Sequence, residues 1–109
     1  MPPPVLSSHS EKVSYIYDFL QGDGPTFLLI VGPSASGKSY TLNEALSKMR
    51  TNRIPYKVML WNDGETPGVV EHGNTDHMLW VIVKRSEDDL ATMIKNEWKE
   101  SATVYFEAQ

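Results

Sequence analysis

Apolar residues recur along this chain in two rhythms, one helical and one extended, and their succession predicts a sheet flanked by helices. Val13, Ile16, Tyr17 and Leu20 sit three and four positions apart, as on one face of a helix. Ser10 is a candidate cap before them, and Gly22, Asp23, Gly24 and Pro25 form a stop behind them. Residues 26–31 are apolar almost without interruption and do not alternate, which fits a central parallel strand covered on both faces. Helical spacing returns with Leu42, Ala45, Leu46 and Met49, giving a helix from near Lys38 to near Arg50. Residues 56–61 and 77–83 read as two further strands, the first leaving through a turn-rich stretch at 62–68. No helical pattern separates these two strands, so a hairpin or a long loop is expected between them, because a direct parallel crossover needs a helix-sized connection. Ser86 is placed to cap another helix, with Glu87, Asp88 and Asp89 in its first turn and Leu90, Met93, Ile94, Glu97 and Trp98 along one face. Residues 103–106 make a last strand before Glu107.

The junction between the first strand and the second helix carries the most specific chemistry. Gly32, Pro33, Ser34, Ala35, Ser36, Gly37, Lys38 and Ser39 satisfy the spacing G-x-x-x-x-G-K-[ST] in the strand-to-helix setting that this pattern requires. Glycines let the backbone curl closely around a polyphosphate, so that amide N–H groups and the helix N-terminus point at anionic oxygens. Lys38 adds a mobile positive charge for the outer phosphates, and Ser39 offers a hydroxyl to the Mg2+ that accompanies ATP or GTP. The expected fold is therefore α/β, a P-loop NTPase-like three-layer sandwich with a small, mostly parallel sheet. It spans residues 10–109 after a disordered lead at 1–9.

Hydrolysis by such a loop needs a carboxylate at the end of a neighbouring strand, to hold the metal's water shell and help place the attacking water. Glu107, which follows the last strand, is one candidate for this catalytic role. Asp63, at the end of the second strand, is the other, as a metal ligand. Lys84 and Arg85 close the third strand and emerge on the ligand face of an α/β sheet if that strand runs parallel to the first. His72, Asp76 and His77 lie together in a polar loop without a recognised metal-ligand spacing. Trp61, Trp80 and Trp98 read as core or rim residues.

Composition narrows the partners. The chain has 109 residues, enough for one small domain, either a minimal version of the fold or a piece of a longer chain. The formal charge is −4, and the second half is the acidic one, with ten Asp and Glu after residue 54 against four before it. That balance argues against a generally basic nucleic-acid surface; a local patch of Lys48, Arg50, Arg53 and Lys57 is the candidate if nucleic acid is bound. With no cysteine, disulfides, thiolate metal sites and cysteine nucleophiles are excluded. The start lacks the cationic and long apolar regions of a signal peptide, and no run approaches transmembrane length. A cytoplasmic or nuclear protein without a membrane partner is expected, its oligomeric state open.

The stretch from residue 10 to 62 resembles the beginning of AAA+ ATPases of the origin recognition complex type. A leading helix, here residues 11–21, precedes the apolar strand, the loop from Gly32 to Tyr40 and a second strand ending near Asn62. The resemblance covers about half the chain. It implies an ATPase that couples nucleotide state to a protein or nucleic-acid partner, with Lys38 and Ser39 as ATP and Mg2+ residues and Glu107 near the family's acidic strand end. Guanylate kinases offer a second likeness, through the same loop, Gly64-Glu65-x-x-Gly68, and residues 86–94. That would imply transfer of the γ-phosphate to a nucleoside monophosphate. The patch Trp61, Asn62, Asp63, Gly64 is also similar to one in replication initiators of small circular DNA viruses. A module that binds nucleotide without hydrolysing it is the remaining expectation.

Overall fold

The computed structural model describes residues 6, 8–86, 96 and 101–107. Within them the chain forms α1 (His9–Leu20), β1 (Phe27–Val31), α2 (Lys38–Thr51), β2 (Tyr56–Asn62), β3 (Gly68–His72), β4 (Met78–Lys84) and β5 (Ser101–Tyr105). The helix expected after Ser86 falls on residues 87–95 and 97–100, which lie outside the described residues, as does most of the lead expected at 1–9.

The five strands form one sheet in the order β3-β2-β4-β1-β5, parallel at every pairing except the antiparallel β2–β3 edge. The α/β class and the mostly parallel sheet agree with the apolar pattern. Central placement of β1 explains its unbroken apolar run, because β4 and β5 pair with its two sides and both faces are covered. Its side chains divide by alternation. Leu28 and Ile30 join the larger core with α1 and α2, while Phe27, Leu29 and Val31 pack with Ile82, Trp61 and Trp80 on the opposite face. Of the two connections open between the second and third predicted strands, the chain uses the hairpin: β3 turns back on β2, with Val58 opposite Val70 and Met59 opposite Val69.

α1 starts earlier than Ser10 would place it. Ser8 is the N-cap, its hydroxyl accepting from the Glu11 amide at 3.1 Å. Val13, Ile16, Phe19 and Leu20 are the buried face, and α1 packs against α2 over the sheet. At the other end of β1, Gly32 donates its N–H to the Lys84 carbonyl at 3.1 Å, and Phe106 donates to the Val31 carbonyl at 2.7 Å. The segment leaving β1 is thus anchored to both neighbouring strands at the carboxyl edge of the parallel sheet, where α/β folds carry their ligand crevices.

Candidate functional site

The loop from Gly32 to Ser39 opens from this edge, and its shape depends on two glycines. A Cβ at Gly32 would stand 2.6 Å from the Phe106 Cβ and 2.8 Å from the Phe106 carbonyl oxygen, so only glycine lets β1 and the segment after β5 approach this closely. Gly37 is the N-cap of α2 at φ 89, in the left-handed region, and no side chain caps the helix. Ala35 also takes a left-handed φ of 63, an unusual conformation for a residue with a Cβ. The amides of α2's first turn consequently make no side-chain cap hydrogen bond.

Lys38 begins α2 and folds back over the loop. Its Nζ donates to the carbonyls of Gly32 at 2.5 Å and Pro33 at 2.6 Å, and lies 3.4 Å from the Ser36 hydroxyl. Ser36 is itself buried and donates to the Pro33 carbonyl at 2.7 Å. Partial burial pushes the Lys38 ammonium below its ordinary range and Arg85 adds to that, while Asp63 opposes it. Ser39 and Tyr40 follow on the first turn of α2, both exposed.

Asp63 sits just past β2, and β4 is the strand between β2 and β1. Its Oδ2 accepts the Arg85 amide at 3.0 Å and lies 3.8 Å from Arg85 Nε, and its Oδ1 is 3.4 Å from Lys84 Nζ. The Arg85 amide is the main reason its carboxyl is held below the usual carboxylate range; desolvation opposes this, and the Lys84 and Arg85 charges reinforce it. The sequence placed Asp63 and Lys84 separately. The strand order brings them together across 21 positions.

Glu107 follows Phe106 on the other flank of β1, exposed, and among the described residues no hydrogen bond or ion pair ties it to Lys38. Gly64 and Glu65 lie in the β2–β3 turn, which is closed by the Glu65 amide on the Asn62 carbonyl at 3.1 Å. Of the four basic residues expected to form a patch, Arg50 donates to the Tyr56 hydroxyl at 2.8 Å and Lys48 Nζ lies 4.7 Å from the Tyr17 ring centroid, so two of the four are engaged by tyrosines. His72 stacks on Tyr56, and His77 packs against Gly22. Among the described residues no group of three or more His, Asp or Glu is arranged to hold a metal ion, and no helix is long and apolar enough to cross a membrane.

One feature of this edge had only a faint signal in the sequence. His9 places Nε2 on the Glu44 carboxylate and Nδ1 3.4 Å from the Thr41 hydroxyl, and its ring lies 5.3 Å from that of Tyr40. It therefore ties the start of α1 to the first turns of α2. The spacing Ser8-x-x-Glu11 marks where α1 begins, but nothing local pairs His9 with residues over 30 positions away. Comparison of the chain with protein-family models, with curated proteins and with solved structures finds no match.

Proposed function

We propose that the loop from Gly32 to Ser39 grips the phosphates of ATP or GTP with Mg2+, and that the protein is a P-loop ATPase, or a module derived from one, that couples nucleotide state to a protein or nucleic-acid partner. The observation that carries the reading is the loop itself. Its glycines stand where a Cβ does not fit or where φ is left-handed, its helix N-terminus carries no side-chain cap, and Lys38 lies within it, all at the carboxyl edge of a parallel sheet.

In this reading the amides of residues 33–39 cradle the phosphate oxygens. Lys38 gives up its carbonyl partners to meet the outer phosphates and offsets charge developing on the transferred group. Ser39 and Asp63, a hydroxyl and a carboxylate, are hard oxygen donors of the kind that Mg2+ takes. When bound, the metal would neutralise phosphate charge there. Asp63 takes the acidic role in preference to Glu107, because it is held at the end of β4, by Lys84 and the Arg85 amide, where the Gly32 N–H also bonds the Lys84 carbonyl.

Calorimetric titration with ATP and Mg2+ tests the binding, with saturable heat expected for the wild type and none for Lys38→Ala. Adding a panel of nucleoside monophosphates then separates the activities: free phosphate whatever the acceptor marks an ATPase, and a diphosphate made from one acceptor marks a kinase. Binding with neither product marks a module that only holds nucleotide. A folded wild-type chain that gives no heat with either ATP or GTP overturns the proposal.

A further inference from the structure

Beside the loop, on the flank of β1 that faces β5, lies a cavity of about 580 Å³. Its lining runs from Ser36 and Gly37 of the loop to Tyr40 on α2, and is closed by Lys12 of α1 and by Phe106 beyond β5. The two flanks of the loop differ in chemistry. Toward β4 and β2 stand the charged groups Asp63, Lys84 and Arg85. Toward β5 the cavity wall carries the rings of His9, Tyr40 and Phe106 and the Lys12 ammonium, with Lys12 Nζ 4.6 Å from the centroid of the Phe106 ring.

Tyr40 is the most exposed large hydrophobic among the described residues, at 67%. Despite that exposure it has a fixed neighbour, since the ring of His9, which also lines the cavity, lies 5.3 Å away at a 30° tilt and is bound to Glu44 and Thr41. An aromatic ring left this open gains little from burial. A flat ring in contact with a second ring, at the rim of a cavity, is instead suited to stack on another planar group.

From this arrangement we infer that the cavity takes the base and sugar of the nucleotide, with Tyr40 as the stacking surface and Lys12 donating to a ring nitrogen or carbonyl of the base. The inference rests on the phosphate reading of the loop and gives the triphosphate a direction. Its reacting end points toward Asp63, and its base end points toward α1 and β5.

Magnesium tripolyphosphate, which has no base, separates the two readings when compared with MgATP and MgGTP by calorimetry. The wild type is expected to bind the nucleotides at least about tenfold more tightly than tripolyphosphate, the scale of a single base–aromatic stack. Tyr40→Ala, a change at an exposed position, is expected to remove most of that difference and leave tripolyphosphate binding unaltered, while Tyr40→Phe keeps it. Lys12→Ala is expected to narrow the difference in the same direction. Equal affinities of the wild type for tripolyphosphate and nucleotides, or a Tyr40→Ala protein that keeps the full difference, overturn the base site and leave the phosphate loop standing. Absence of binding by tripolyphosphate and nucleotides alike overturns both.

Discussion

Gly32 shows how one missing side chain sets the geometry of an entire edge. Backbone and Cβ atoms of Phe106 fill the space that a side chain at position 32 would need, and backbone cannot rotate away as a flexible side chain can. Gly32→Ala is therefore expected to destabilise the fold by about 1–3 kcal/mol, the usual range for overpacking. Gly68→Ala is the control, since a Cβ there meets nothing within 4 Å and the expected change is close to zero. Urea denaturation of both variants checks the pair, and equal midpoints would show that the contact at Gly32 is not close-packed in solution. The motif itself was legible in the sequence, because its residues are contiguous and its glycines answer a local backbone demand. The meeting of Asp63 with Lys84 and Arg85 was not, because it depends on β4 inserting between β2 and β1, and no local pattern encodes which strand lies beside which.

Among the elements, the hydrophobic rhythm located α1, α2, β1, β2, β4 and β5 to within one or two residues at most ends, since each buries a face whose spacing is visible in the chain. β3 escaped it. Gly68, Val69, Val70, Glu71 and His72 form a five-residue edge strand that is mostly exposed, so only Val70 packs toward the core and no alternation stands out. The cap of α1 was missed for another reason: Ser8 and Ser10 both precede the apolar stripe, and only Ser8 has Glu11 three positions on, the capping-box spacing. Ser8→Ala is expected to cost about 1 kcal/mol, in line with loss of an N-cap, whereas Ser10→Ala falls inside the helix and is expected to be neutral or slightly stabilising. Thermal melts of the two variants test the assignment, and a larger loss at Ser10 would return the cap to that position.

For the molecule as a whole, acid stability follows from how the two strand ends are joined. The Asp63 carboxyl is held below the usual carboxylate range in the folded chain, so at low pH the unfolded chain binds the proton more readily. The stability gained from Asp63 is therefore complete above its ordinary unfolded value and is lost as pH falls through the lowered folded value. With its side chain one-third exposed, solvent screens part of the effect. Asp63→Asn is expected to melt below the wild type at neutral pH, and the two melting temperatures are expected to converge in acid. A gap that stays constant across that pH range would mean that shape rather than charge joins β2 to β4.

The fold of Lys38 back onto the carbonyls of Gly32 and Pro33 has a consequence for how an anion would be received. The curvature of the loop is braced from within by its own ammonium, so it does not have to be moulded by the incoming group. On the proposed reading, capture becomes an exchange of partners at a nearly finished cradle, and little ordering entropy is lost at that moment.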